Sequence, residues 1–327
     1  MRAPYSFALL FAICATLTIA TGANADPSRW KAEGWRTDFT NATADLDRVL
    51  SGGPPRDGIP SIDNPQFVDA ANHSQLAASE PVIGLAIGED ARAYPLRILT
   101  WHEIVNDTVG GVPVAVTYCP LCNSSLVFER IVEGETVEFG TTGKLKDSNL
   151  IMYDRRSESW WQQFSGEAIA GNHAGKRLTL LPSRLQSWAQ FKAEHPDGKV
   201  LVPNRPEVRD YGRNPYAGYD TGRPFLYDGQ LPPGIDPMQR VVVVRRGETD
   251  PIIVTMNLVR ETGPIERDGH VIAWSAGQNS ALDTAEITRG RDVGTITVQK
   301  DGRDVAHDVT FAFVAHAFYP QVAIATQ

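Results

Sequence analysis

The chain has 327 residues, of which 42% are hydrophobic and 21% charged, and its formal net charge is −8 at pH 7. This length is enough to bury one large core or two ordinary ones. Because the chain is acidic and has no cluster of lysine and arginine, nucleic acid and anionic lipid are poor candidates for partners. Small molecules, metal ions and protein thiols or disulfides remain.

The first residues have the order of a secretory leader. Arg2 precedes an apolar run from Phe7 to Ile19, and the small-residue tripeptide Ala23, Asn24, Ala25 follows. This order is typical of a signal peptide, and the apolar run is shorter than the roughly 20 residues of a spanning helix. We therefore expect residues 1–25 to be removed. The mature chain is then exported, periplasmic or secreted, with no membrane span.

The next segments predict an arm followed by short strands and a helix. Residues 26–79 are expected to form an amino-terminal helix, near residues 43–50, and an extended arm, because clustered Pro and Gly interrupt regular structure. The stretch "PVIGLAIGEDARAYPL" predicts a β-hairpin, and "LRILTWHEIVND" predicts a short helix. The stretches "VPVAVTY" and "SSLVFERIV" predict strands on either side of Cys119 and Cys122, which places both cysteines in a strand-to-strand turn.

The remainder is expected to be mostly strands, with one longer helix from Arg184. The loop at residues 204–237 is long enough to be a lid or a boundary. Strands outnumber helices and do not alternate with them regularly, so we expect a β-rich α+β fold with a mainly antiparallel, barrel-like core and a few short helices. Residues 80–327 are expected to form one domain, with a sub-boundary in the 204–237 loop.

The Cys119-Pro-Leu-Cys122 motif has three physical uses. It can cycle between dithiol and disulfide, supply two thiolates to a metal, or form a static disulfide. A thioredoxin-like centre would place the first cysteine at a helix amino terminus, where the dipole lowers its pKa, but the residues that follow predict a strand. The motif is therefore more typical of a strand-turn-strand knuckle, which has only two sulfurs.

His102 is the best candidate for a third group, because its predicted helix leads into the strand that ends at Cys119. On that helix it would share a stripe with Leu99 and Asn106, with Glu103 at its edge, and could act as a neighbouring base or a third metal ligand. The alternative is a solvated face of an amphipathic helix. Two sulfurs and His102, with Met152 or a carboxylate nearby, would suit copper better than structural zinc, since soft sulfur favours Cu(I).

Aromatic residues offer a separate candidate for a ligand cleft. Trp160 and Trp161 are adjacent, and Tyr216 lies in the long loop with other tyrosines. Large aromatics are most often core residues, and the loop is equally explained as an ordered spacer or as a lid.

Three long stretches of the chain carry a family resemblance, namely "EPVIGLAIGEDARAYPLRILTWHEIVNDTVGGVPVAVTYCPLCNSSLVFER", "SNLIMYDRRSESWWQQFSGEAIAG" and "LPSRLQSWAQFKAEHP". Through these stretches the chain resembles a bacterial and archaeal family of unknown function, DUF3179. In some members selenocysteine stands at the position of Cys122, which implies a redox or soft-metal role for that position. Asn123 replaces the Gly that commonly follows, and because Asn tolerates a left-handed backbone, the turn should survive.

These observations lead to one leading hypothesis and two alternatives. The leading hypothesis is an exported protein whose Cys119 and Cys122, with His102 as base, carry out thiol/disulfide or peroxide chemistry. The first alternative is a protein that binds copper or another soft metal, or zinc, through the same three residues. The second is a non-catalytic binding protein that uses Trp160, Trp161 and Tyr216.

Overall fold

The computed structural model describes residues 27–247 and 249–327, so the predicted leader at residues 1–25 lies outside the described residues. In the described part, the α-helices are α1 (Pro27–Ala32), α2 (Leu96–His102), α3 (Trp188–Glu194), α4 (Met256–Thr262) and α5 (Ala312–Phe318). Across these two ranges, no helix combines the length and apolar character needed to cross a membrane.

Strands make up most of the regular structure. In chain order they are β1 (Val49–Ser51), β2 (Gln66–Asp69), β3 (Pro81–Ile87), β4 (Asp90–Pro95), β5 (Ile104–Val109), β6 (Val112–Cys119), β7 (Ser124–Glu129), β8 (Ile131–Val132), β9 (Glu135–Thr136), β10 (Phe139–Lys146), β11 (Asn149–Asp154), β12 (Trp160–Gln162), β13 (Glu167–Ala170), β14 (Leu180–Leu181), β15 (Arg184–Ser187), β16 (Lys199–Val202), β17 (Arg240–Arg246), β18 (Thr249–Thr255), β19 (Ile265–Arg267), β20 (His270–Ser275), β21 (Thr295–Lys300), β22 (Arg303–Asp304) and β23 (His307–Phe311).

The predicted β-rich α+β class is confirmed. The larger sheets have the orders β1-β10-β11-β12-β13, β14-β7-β6-β5, β15-β3-β4-β16-β2, β18-β17-β23 and β19-β20-β21-β22. Their pairs are antiparallel except for β16 with β4. Each sheet is open, and none that the described residues form closes into a barrel, so the core lies between separate sheets.

The sheet that carries the cysteines is a simple meander. Strands β5 and β6 are joined by Gly110 and Gly111, whose φ angles of 54° and 81° are those that a tight two-residue hairpin turn requires. Strand β6 is rich in β-branched residues and ends at Cys119, and β7 returns from Ser124. The predicted strand-turn-strand arrangement around Cys119 and Cys122 is therefore confirmed.

Helices α2 to α5 each have seven residues and each begins directly after a strand, namely β4, β15, β18 and β23. Helices this short are unstable alone and depend on packing. The helix predicted from Arg184 is wrong in its first turn, because residues 184–187 pair with β3 and Ser187 caps α3. The helix predicted near residues 43–50 is also wrong, since this segment forms a 3₁₀ turn, Leu46–Arg48, and the start of β1.

The amino-terminal segment packs on the main body instead of extending away from it. The rings of Trp30, Trp35 and Phe39 lie 4.8, 5.2 and 4.8 Å from the ring of Trp160. Strand β2 pairs with β16, so the extended part of the arm also completes a sheet. The arm therefore helps to bury the aromatic core.

Candidate functional site

The Cys119-Pro-Leu-Cys122 stretch forms a tight turn between β6 and β7. The Cys122 amide donates to the Cys119 carbonyl at 3.1 Å, and the Asn123 amide donates to the Pro120 carbonyl at 3.1 Å. Asn123 has φ 52°, which confirms the expectation that it adopts the left-handed backbone. Its side-chain amide donates to the Val309 carbonyl at 3.0 Å, which adds a specific reason for Asn at this position.

The two cysteines are free thiols that lie side by side. Their side chains are buried, and both sulfurs approach one acceptor, the Ser148 carbonyl oxygen, at 3.8 Å from Cys119 and 3.4 Å from Cys122. Ser148 belongs to the two-residue turn between β10 and β11, where Asp147 and Ser148 both have positive φ. A second tight turn thus faces the cysteine turn.

Asn149 is the polar side chain aimed at the Cys122 sulfur. Its Nδ2 donates to that sulfur at 3.4 Å and to Gln163 Oε1 at 2.8 Å. Its Oδ1 accepts from Gln162 Nε2 at 2.6 Å and from the Phe164 amide at 2.9 Å, and these contacts fix the amide orientation. Burial raises the pKa of Cys122, the contact with Cys119 raises it further, and Asn149 opposes both effects.

Strand β23 holds the turn from the opposite side. The Cys122 carbonyl accepts from Thr310 Oγ1 at 2.7 Å and from the Phe311 amide at 3.2 Å. The buried Asp308 carboxyl accepts from Ser124 Oγ at 2.5 Å and from the Ser125 amide at 3.0 Å, and burial raises its pKa to about 6. The turn is therefore positioned by hydrogen bonds on both flanks.

A cavity of about 560 Å³ lies beside the turn, with Leu121 in its wall. One side of this cavity is formed by part of the long loop, residues 215–226, including Tyr216, Tyr219 and Phe225. The Tyr219 hydroxyl donates to the Leu121 carbonyl at 3.0 Å and accepts from the Phe225 amide at 3.3 Å. The loop is thus attached to the cysteine turn itself.

Glu103 is the acidic residue of this cavity. It follows α2 with φ 58°, and its carbonyl accepts from the Tyr118 amide at 2.8 Å, next to Cys119. Its side chain lines the cavity and is 8% exposed. Within the part of the chain that the structure describes, the carboxyl has no hydrogen-bond or ion-pair partner, and burial raises its pKa to about 8.

His102 is bound elsewhere. Its Nδ1 lies 2.8 Å from the Pro60 carbonyl oxygen and its Nε2 lies 2.7 Å from the Tyr211 hydroxyl, with the two rings stacked. Burial lowers its pKa. The described contacts of its ring are with these two residues and not with either sulfur, so its part in the thiol chemistry stays a prediction. The predicted stripe with Asn106 is wrong, because Asn106 lies in β5.

The other predicted site residues are distributed as follows. Met152 is in the same buried cluster as Cys119 and Cys122. Trp160 and Trp161 are 0% and 1% exposed and pack in the core, and neither lines the 560 Å³ cavity, whereas Tyr216 does. Among residues 27–247 and 249–327, no group of three or more His, Cys, Asp and Glu side chains is placed to hold a metal ion.

Sequence reasoning missed Glu103, Asn149 and Asp308 as neighbours of the turn. The segment "KDSN" did carry a signal for Asn149, since a polar Asp-Ser pair between two strands is typical of a tight hairpin turn. No local pattern indicated that this turn would face the cysteines.

Comparison with known proteins supports a family and nothing narrower. Neither the curated proteins nor the solved structures contain a match to this chain. The family model described as protein of unknown function, DUF3179, matches residues 56–322, a range that includes the cysteine turn, Glu103 and the 204–237 loop. Because this match covers most of the chain, the protein belongs to the DUF3179 family.

Proposed function

We propose that this protein is a thiol-dependent oxidoreductase in which Cys119 and Cys122 cycle between dithiol and disulfide. The observation that carries the proposal is the approach of two free, buried thiols to one acceptor, the Ser148 carbonyl. Two sulfurs held side by side by a tight turn can close a disulfide with little movement of the backbone.

The proposed reaction with a substrate disulfide has two steps. One cysteine thiolate attacks a substrate sulfur, which forms a mixed disulfide and releases the first substrate thiol. The second cysteine thiolate then attacks the cysteine sulfur of that mixed disulfide, which forms the Cys119–Cys122 disulfide and releases the second substrate thiol. Two electrons pass from the cysteines to the substrate, and the two cysteine protons end on the two released thiols.

The surroundings favour a reactive pair over a static disulfide. Burial raises the pKa of the Cys122 thiol and so opposes formation of its thiolate, but Asn149 Nδ2 donates to this sulfur and is oriented to stabilise a thiolate there. The adjoining cavity gives a substrate a place to bind beside the turn. Export through the leader would deliver the pair to an oxidising compartment, where a partner must reduce it for each cycle.

Soft-metal binding by the same cysteines is the alternative, and a single experiment distinguishes it from the redox function. The described residues offer the two sulfurs but no third His, Cys, Asp or Glu in one group with them, which favours the redox function over a copper or zinc site. Native mass spectrometry of the purified protein, with and without a reductant, reports disulfide, free thiols and bound metal together.

The redox proposal predicts that air or a disulfide oxidant lowers the mass by two hydrogens and that a reductant restores it. Cys119→Ser and Cys122→Ser should each abolish this change. Only the variant that keeps the attacking cysteine should accumulate a mixed disulfide with a small disulfide such as oxidised glutathione. Thiols that stay reduced under oxidant would refute the proposal, and so would a stoichiometric metal ion that blocks oxidation.

A further inference from the structure

We propose that the cavity beside the cysteine turn is a binding site for an organic cation, an ammonium group carried on an apolar body, and that the Glu103 carboxylate pairs with this charge. The cavity, about 560 Å³, falls within the roughly 300–1,000 Å³ of small-molecule sites. The site is distinct from the thiols, since Leu121, and not either cysteine, lines its wall.

The first argument is the missing partner of Glu103. A buried carboxyl is costly to ionise unless a cation or several donors compensate it. In the described residues no group donates to the Glu103 carboxyl and no basic side chain pairs with it, although the side chain lines the cavity at 8% exposure. Its raised pKa has the same origin, since burial without compensation favours the neutral acid. A ligand cation would supply the charge that the protein does not.

The second argument is the rest of the lining. Aromatic rings of Tyr216, Tyr219 and Phe225 form one side of the cavity, and aromatic rings attract ammonium groups through their negative faces. Among the described residues of the lining, an anion would find no free positive charge, because Lys144, the basic residue there, is already bound to Glu33 at 2.8 Å. The lining therefore favours a cation with an apolar body over an anion.

Backbone geometry supports a functional reason for Glu103. Glu103 has φ 58° and ψ −32°, outside the regions that non-glycine residues ordinarily occupy. This conformation ends α2 and allows residues 104–109 to pair with β6. The preceding side chain, His102, is held at Pro60 and Tyr211. The backbone of Glu103 is thus held by His102 on its amino-terminal side and by the strand β5 on its carboxyl-terminal side.

The test is isothermal titration calorimetry of the purified protein with benzyltrimethylammonium, whose charge does not change with pH, and with phenylmethanesulfonate as an anion of similar size. The cation should bind more tightly by about tenfold per pH unit from about pH 6 to pH 8, and the gain should level off above that range, because only ionised Glu103 is competent. Glu103→Gln should bind the cation at least about tenfold more weakly at pH 9 and show no pH dependence.

Other titratable groups near the cavity are accounted for. Burial raises the pKa of Tyr216 and Tyr219 and lowers that of His102, so all three stay neutral from about pH 7 to pH 9. The ammonium group of Lys144 is engaged in its ion pair with Glu33. The Cys119→Ser/Cys122→Ser double variant removes the thiols and should bind the cation like wild type. The measurement on the double variant separates cation binding from the redox function, since either proposal can be refuted while the other holds.

Glu89→Gln is the matched control, because Glu89 is an exposed acid in the β3–β4 turn and should leave the affinity unchanged. Equal affinity of wild type and Glu103→Gln for the cation at pH 9 would overturn the proposal. Tighter binding of phenylmethanesulfonate, or binding of neither probe, would overturn it as well. If Glu103→Gln does not fold, the wild-type pH series decides, because an affinity for the cation that is flat from pH 6 to pH 9 contradicts the proposal.

Discussion

Replacing Glu103 with Gln should change how the stability of the protein depends on pH. Burial raises the pKa of Glu103 from its ordinary 4.5 to about 8 in the folded state. The folded protein then holds a proton that the unfolded chain releases between about pH 4.5 and pH 8. Through this window the free energy of unfolding must fall as pH rises, because deprotonation leaves an uncompensated charge in the cavity.

The size of the effect follows from the shift. At about 1.4 kcal/mol for each pH unit, a shift from 4.5 to about 8 corresponds to about 5 kcal/mol between pH 4.5 and pH 8. The free energy of unfolding of a typical domain is only about 5–15 kcal/mol, so ionisation of this one carboxyl would remove a large part of it in alkaline solution. Gln has nearly the same shape and no proton to lose, so its stability should lack this slope.

Urea denaturation followed by tryptophan fluorescence at several pH values from 5 to 9 measures the difference. Wild type and Glu103→Gln should have similar free energies of unfolding near pH 5, and the variant should be more stable by several kcal/mol at pH 9. Glu89→Gln should follow the wild-type curve. Parallel curves for wild type and Glu103→Gln over the whole range would refute the reasoning, because the carboxyl would then be compensated in the folded protein.

Three further changes test the surroundings of the site. Trp160→Ala should lower the free energy of unfolding by about 3–5 kcal/mol in urea, since it empties the centre of the amino-terminal aromatic cluster; unchanged stability would show that the ring is not core. Asn123→Val should lower the free energy of unfolding by more than about 1–2 kcal/mol, because residue 123 has a left-handed φ that Val tolerates poorly. Asn123→Gly should lower it by only about 1 kcal/mol, because Gly tolerates this φ and only the hydrogen bond to Val309 is lost. The reverse order of the two variants would contradict this account. Tyr219→Phe removes the bond to Leu121 and should speed alkylation of the reduced cysteines by iodoacetamide about fivefold. Tyr227→Phe is its control within the same loop, and equal rates for the two variants would argue against the loop as a cover.

The turn that carries the cysteines was predictable because its signals are local. β-branched residues before Cys119, the return at "SSLVF", and an Asn suited to positive φ all lie within residues 112–128. Short-range chemistry of this kind is what a single sequence encodes most directly, and the antiparallel character of the fold followed from the same strand patterns.

The helix predicted over residues 96–107 is confirmed as far as His102, and its remainder is wrong for a physical reason. Ile98, Trp101, Ile104 and Val105 have helical spacing, which predicted one helix through Asn106. In the structure residues 104–109 instead form a strand against β6, and the hydrogen bonds of that pairing replace those of further helical turns. Tertiary pairing overrides local periodicity in such short segments.

The neighbours of the cysteines could not be found from one sequence. Asn149 reaches Cys122 from a different sheet, and Asp308 reaches Ser124 from a strand 184 residues away in the chain. Their residue types are ordinary for turns and strand ends. They belong to the site because segments that are distant in the sequence meet there. Which segments meet is determined by the packing of the whole chain.

The attachment of the turn to β23 has a consequence for the order in which the chain matures. The Cys122 carbonyl takes its donors from Thr310 and Phe311, near the carboxyl end. A chain that is synthesised or translocated from its amino terminus therefore presents both cysteines long before the strand that holds them has emerged. During that interval the thiols are open to wrong partners, and the arrival of the last strand is the event that closes the site.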